Sequence, residues 1–228
     1  MGSPRPHPPR EAERRATLAV VTAGLGEPST SRLLADRLAY AARDQLAARG
    51  RPADVHVVEL RELAGAIADH MVTGFPPARL RDALAEVATV DALIAVTPVF
   101  AASYSGLFKS FFDLLEPDAL RGTPVLMAAT GGTARHSLAL EHAVRPLFGY
   151  LRAPTVPTAV FAAPEDWGGG DRHTGELAAR VERAAGELAD MAAGTRGRAA
   201  AAPPATGTEA PLDVVPFAEQ LAALSVRN

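Results

Sequence analysis

Cysteine is absent from all 228 residues. That excludes disulfides, thiolate nucleophiles and Cys-ligated metals, so any redox chemistry must come from a bound cofactor. Lysine is almost absent: Lys109 is the single one among 23 basic residues. A surplus of positive charge is lacking as well. Asp and Glu number 26, the net charge is -3 and the pI is about 6.1, so no basic face for nucleic acid is expected. A long unbroken apolar run is missing too. The nearest candidate, residues 92–108, is interrupted by Thr97, Pro98, Ser103, Ser105 and Gly106, which does not suit a membrane span. The opening segment MGSPRPHPPREAERR has no apolar stretch behind its basic residues and does not read as a signal peptide. A cytoplasmic location follows as the expectation, with no membrane or nucleic-acid partner.

What is present suits a buried core. Hydrophobic residues make up 48% and charged residues 21%, a balance typical of one globular domain. Residues 1–15 are Pro-rich and charged without periodicity and read as a disordered leader. The domain is expected over 16–193, an Ala/Pro-rich linker over 194–211, and a short amphipathic tail over 212–228.

Within the domain, apolar runs and helical patterns alternate. Strands are expected at Leu18–Thr22, Val55–Leu60, Asp91–Thr97, Pro124–Thr130 and Thr155–Ala162. Helices are expected at Ser31–Arg49, Pro76–Val87, Ser105–Leu115, Ser137–Tyr150 and Glu176–Ala192. Five strand–helix units predict an α/β fold: a doubly wound five-stranded parallel sheet, order 2-1-3-4-5, with helices on both faces, the flavodoxin-like arrangement.

Ligands of such sheets lie beyond the carboxyl ends of the strands, so the loops after strands one, three and four carry the argument. The first holds Ser29, Thr30 and Ser31 at a helix start, followed by Arg32. Helix N–H groups, hydroxyls and a guanidinium suit a phosphate; a plain helix cap accounts for the same hydroxyls. Neither G-x-G-x-x-G nor G-x-x-x-x-G-K-[ST] is present, so a lone phosphate fits better than a dinucleotide fingerprint or a Walker loop. After strand three, Pro98 is expected to stop the strand, and Phe100 and Tyr104 offer aromatic surface. After strand four, Gly131 and Gly132 permit φ > 0 and close backbone approach; a tight turn is the alternative. His136 is expected near the start of the next helix, and Lys109 as an exposed helix residue. No acidic cluster at the strand ends offers a metal site, which disfavours a phosphate-binding hydrolase.

The stretches TPVFAASYSGLFKSFFDLL and ATGGTARHSLALEHAVRPLF carry a resemblance. They are similar to the NADPH-dependent FMN reductase family, above all to reductase components of two-component flavin monooxygenases and their actinobacterial relatives. The resemblance implies that Ser29, Thr30, Ser31 and Arg32 hold the FMN phosphate. It implies that Pro98, Val99, Phe100, Ser103 and Tyr104 lie along the isoalloxazine, and that Thr130, Gly131 and Gly132 approach the ring edge. Phe100 replaces the family's usual tyrosine, and Ala23-Gly24 stands where Gly-Ser is usual. The resemblance further implies NADPH or NADH as electron donor, an exchangeable FMN handed on reduced to a separate monooxygenase, and a homodimer or homotetramer. A quinone, azo or chromate reductase with tightly held FMN, and a non-enzymatic flavodoxin-like electron carrier, are the alternatives. No catalytic side chain is singled out, because hydride transfer is a matter of positioning.

Overall fold

A computed structural model describes residues 15–168 and 170–194. The expected leader apart from Arg15, the linker beyond Gly194, and the tail all lie outside the described residues.

Strand β1 (Ala16–Thr22) runs into a loop and helix α1 (Thr30–Ala48), then β2 (Ala53–Glu59). Two helices follow, α2 (Leu60–Thr73) and α3 (Ala78–Thr89). The sequence pattern had accounted for the second alone. Yet Leu60, Leu63 and Ile67 fall on one face of α2 and are buried, and Gly74 ends it at φ 77 with its N–H on His70 O at 2.8 Å, a glycine stop signal. Strand β3 (Ala92–Phe100) leads through β4 (Ser103–Tyr104) to α4 (Gly106–Phe112). Strand β5 (Val125–Thr130), α5 (Arg145–Tyr150), β6 (Val160–Ala162), α6 (Glu165–Gly168) and α7 (Gly170–Gly194) complete the described chain.

The five parallel strands are ordered β2-β1-β3-β5-β6, and β4 pairs antiparallel with β3. Counting parallel strands alone, this is the expected 2-1-3-4-5 order. Each face is covered. On one, Phe108, Phe111, Phe112 and Phe148 are buried, with ring centroids 4.7 to 5.4 Å apart in consecutive pairs. Each such burial contributes about 1.5–3 kcal/mol. On the other, Leu34, Leu38 and Leu46 of α1 pack with Leu177 and Leu188 of α7 over Val20, Ile94 and Leu126.

Three local expectations are corrected. Pro98 does not stop its strand: β3 continues to Phe100, and Pro98 pairs with Thr130. Val96 O accepts from Ala23 N, so its polar groups face β1. Pro98, two residues on, faces the same way, past the last β1 pair at Thr22–Val96. Its missing N–H therefore leaves no ladder bond unmade. The strand expected at Thr155–Ala162 is ordered as a strand only from Val160, with one bridge at Thr155 to Val125; Pro157 intervenes. The helix expected at Ser137–Tyr150 is a short 3₁₀ turn (Ala134–His136), a π-helical turn (Leu140–Val144) and then α5. Among the described residues no helix is long and apolar enough to cross a membrane.

Candidate active site

Strands β1, β3 and β5 are consecutive in the sheet and parallel, so the three loops of interest leave from one edge.

In the first loop, Ala23 N bonds Val96 O at 3.0 Å. The chain then crosses to Ser29, which caps α1: its Oγ accepts from Arg32 N at 3.2 Å and its carbonyl from Leu33 N at 3.0 Å. The N–H groups of Thr30 and Ser31 have no protein acceptor among the described residues. The first turn of α1 carries no acid, so nothing there offsets the helix dipole. Gly24 lies directly beneath: a Cβ on it would stand 2.0 Å from Ser29 Oγ. The Thr22 hydroxyl, last in β1, is buried and has no partner. Two open N–H groups, the Thr30 hydroxyl and a glycine-floored loop fit a flavin phosphate.

The site hydroxyls have different surroundings. Ser29 is half-buried and Thr30 exposed, whereas Ser31 is buried. Ser31 Oγ and Thr130 Oγ1 are 2.7 Å apart, linking the first loop to the end of β5. Arg32 turns along the helix instead: Nε bonds Asp36 at 2.8 Å and the guanidinium also pairs with Glu59. The Asp36 hydrogen bond raises the Arg32 pKa; burial opposes it, and the charges of Asp36 and Glu59 add to the rise.

The third-strand loop is a tight β-hairpin. Val99 pairs with Tyr104 and Phe100 with Ser103, leaving Ala101 and Ala102 as a two-residue turn at φ 47 and φ 66. Left-handed backbone of this kind is usually assigned to Asn or Gly, so the Ala-Ala pair hid the hairpin from sequence reading. Phe100 is 48% exposed, presenting an aromatic face outward. Tyr104 packs inward on Phe108, centroids 6.0 Å apart. Lys109 pairs with Asp113 one turn along α4.

The fourth-strand loop meets this hairpin. Gly131 N bonds Ala162 O at 3.1 Å. A Cβ on Gly131 would lie 2.8 Å from Phe161 Cζ and 3.7 Å from Val99 Cβ. Gly131 is thus required by close approach. Neither Gly131 nor Gly132 uses the φ > 0 that glycine permits: among the described residues positive φ falls at Gly50, Gly74, Gly122, Arg152 and the two hairpin alanines. Gly132 has open space where a Cβ would be. His136 ends the 3₁₀ turn, exposed.

The structure therefore joins Ser31 to Thr130 and sets Gly131 beside Val99, drawing the three loops together. Sequence reasoning gave no role to Gly24, Thr97 or Phe161. A glycine ahead of a hydroxyl cluster was the one available hint. A cavity of about 340 Å³ near Phe112, Glu116 and Tyr150 shares no residue with these loops. No group of three or more His, Asp or Glu among the described residues could hold a metal.

A parallel sheet in the order 2-1-3-4-5 with helices on both faces is the flavodoxin-like arrangement. The chain belongs to the NADPH-dependent FMN reductase family, whose model matches residues 16–168. It is 36% identical over 177 residues to an FMN reductase (NADPH) of Pseudomonas aeruginosa, covering 78% of this chain and 92% of that protein. It is 37% identical over 166 residues to the NADH-dependent FMN reductase SfnF of Pseudomonas putida, covering 73% and 86%. Among solved structures, an oxidoreductase from Corynebacterium diphtheriae superposes with TM-score 0.76 at 46% identity, covering 79% of this chain and 98% of that one.

Proposed function

We infer that this protein reduces FMN with a hydride from NADPH or NADH and releases reduced FMN to a separate monooxygenase. The net step is NAD(P)H plus FMN plus a proton giving NAD(P)+ plus reduced FMN. The observation that supports the reading is the convergence of the three loops, tied by the 2.7 Å Ser31–Thr130 contact. FMN, when bound, supplies the electron-accepting ring.

The chain's own residues bind and orient. The N–H groups of Thr30 and Ser31, with the Ser29 and Thr30 hydroxyls, hold the phosphate. The backbone of Pro98, Val99 and Phe100, with Ser103 and Tyr104, carries the ring. Thr130, Gly131 and Gly132 border its edge, where Gly132 has open space. Arg32 acts from the second rank, since Asp36 and Glu59 already engage it. Holding two reactants at near-attack distance supplies the rate.

The outward-facing Phe100 leaves one side of the hairpin open to a nicotinamide and to exchange. Release to a monooxygenase, a homodimer or homotetramer, and a cytoplasmic setting rest on the family resemblance. The SfnF relative is named for NADH and the Pseudomonas aeruginosa one for NADPH.

The test is oxidation of NADPH and NADH with FMN, FAD and riboflavin compared, after gel filtration. Turnover of added FMN by colourless protein supports an exchanging reductase. Flavin retained through the column, with electrons passed to quinones, azo dyes or chromate, indicates the tightly bound reductase. Retained flavin without NAD(P)H oxidation indicates an electron carrier.

A further inference from the structure

We propose that Thr97 is the positioning residue of the flavin platform: its hydroxyl clasps the base of the β3–β4 hairpin and sets the angle at which the hairpin meets the ring. The proposal rests on the reading of the protein as an FMN reductase.

Thr97 is fully buried. It falls on the same face of β3 as Leu93 and Ala95, which lie in the aromatic side of the core. A hydroxyl there must be paired. It makes two bonds, accepting from Ser105 N–H at 3.0 Å and donating to the Pro98 carbonyl at 2.9 Å. One hydroxyl proton and one lone pair account for both.

Those partners lie at opposite feet of the hairpin. Pro98 precedes its first paired residue, Val99, and Ser105 follows its last, Tyr104. Between them the hairpin has only the Val99–Tyr104 and Phe100–Ser103 pairs. Its turn holds two alanines in left-handed backbone, where Cβ meets the following carbonyl. So short a ribbon does not fix its own attitude. The attitude is imposed at the base, where β4 has ended and Ser105 N–H finds the Thr97 hydroxyl instead of a ladder partner. Ser105 Oγ in turn caps α4, accepting from Phe108 N at 3.2 Å. One side chain thereby ties together the end of β3, the hairpin and the start of α4. Tilting the hairpin would change the gap between Val99 and Gly131, which flank the ring.

Thr97→Val keeps the shape and removes the hydroxyl; Thr97→Ser keeps the hydroxyl. Flavin affinity is read by fluorescence titration with FMN and riboflavin, the bound-flavin spectrum by absorbance, and the fold by circular dichroism and thermal unfolding. Because the ring is common to both flavins, Thr97→Val weakens both alike, by about tenfold, the scale of an unsatisfied buried hydrogen bond. It also shifts the bound-flavin spectrum, and Thr97→Ser restores affinity to within about twofold of wild type, well inside that loss. Replacing Ala101 and Ala102 by Asn and Gly, which suits the turn, recovers part of the Thr97→Val loss. Wild-type affinity in Thr97→Val, a loss confined to FMN, or a Thr97→Ser variant as weak as Thr97→Val overturns the proposal. A Thr97→Val chain that loses fold and flavin together overturns it too, in favour of a purely structural role. Wild-type protein that neither binds flavin nor oxidises NAD(P)H defeats the reductase reading instead, a distinct result.

Discussion

Replacing Gly24 with alanine should disable the phosphate loop from beneath. The new Cβ would stand 2.0 Å from Ser29 Oγ, 3.1 Å from Ser31 Cβ and 3.2 Å from Ser29 Cβ. The first contact is impossible, and the Ser29 side chain must rotate. Rotation breaks the cap on Arg32 N, which costs about 1 kcal/mol. The two remaining contacts are tight without being prohibitive and add part of the overpacking cost of about 1–3 kcal/mol. A stability loss of about 2 kcal/mol is therefore expected from denaturant unfolding. In flavin binding, the displaced Ser29 hydroxyl removes one hydrogen bond to a charged group, worth about 1.5–3 kcal/mol, from FMN and none from riboflavin. Titration of both flavins into wild type, Gly24→Ala, Ser29→Ala and the double variant completes the assay. If Gly24→Ala acts by expelling the Ser29 hydroxyl, its FMN effect largely vanishes in a Ser29→Ala background. Full additivity, or equal weakening of FMN and riboflavin, would refute the reasoning and leave Ser29 as a helix cap alone.

Gly131→Ala should drive a Cβ to within 2.8 Å of the buried Phe161 ring and destabilise the fold by about 1–3 kcal/mol, while weakening FMN and riboflavin equally; a variant with wild-type melting and affinity would contradict the close-packing account. Ala102→Gly should relieve left-handed strain at φ 66 and raise stability by about 0.5–1 kcal/mol, measured by chemical unfolding; a lower midpoint would show the turn is not strained. Glu141 is held below its ordinary 4.5 by the Arg145 hydrogen bond, then by the charges of Arg145 and His142, against desolvation. A depressed carboxylate stabilises above its unfolded value and loses that effect as pH falls through the folded one. Thus Glu141→Gln should be less stable than wild type near neutrality, with the gap closing below pH 4.5; a gap constant from pH 7 to pH 3 would disprove the coupling.

Much of the candidate site was legible because its signals are local. Ser29 followed by a helical pattern announced a cap and an open helix start, and the helix begins at Thr30. Helix α2 carries a local signal too, in the spacing of Leu60, Leu63 and Ile67 ahead of Gly74. The hairpin was hidden, because alanines occupy positions where asparagine and glycine would have marked a turn.

By itself the sequence determined the alternation of buried strands and amphipathic helices, and with it the 2-1-3-4-5 sheet. Period and composition act within a few residues, and parallel pairing with right-handed crossovers leaves few topologies. Tertiary structure alone decided what each site residue touches. Ser31 meets Thr130 across 99 residues, Gly131 is required by Phe161, and Pro98 stays in its strand because β1 has already ended. Such contacts depend on where separate elements come to rest against one another, and no short-range pattern encodes that distance.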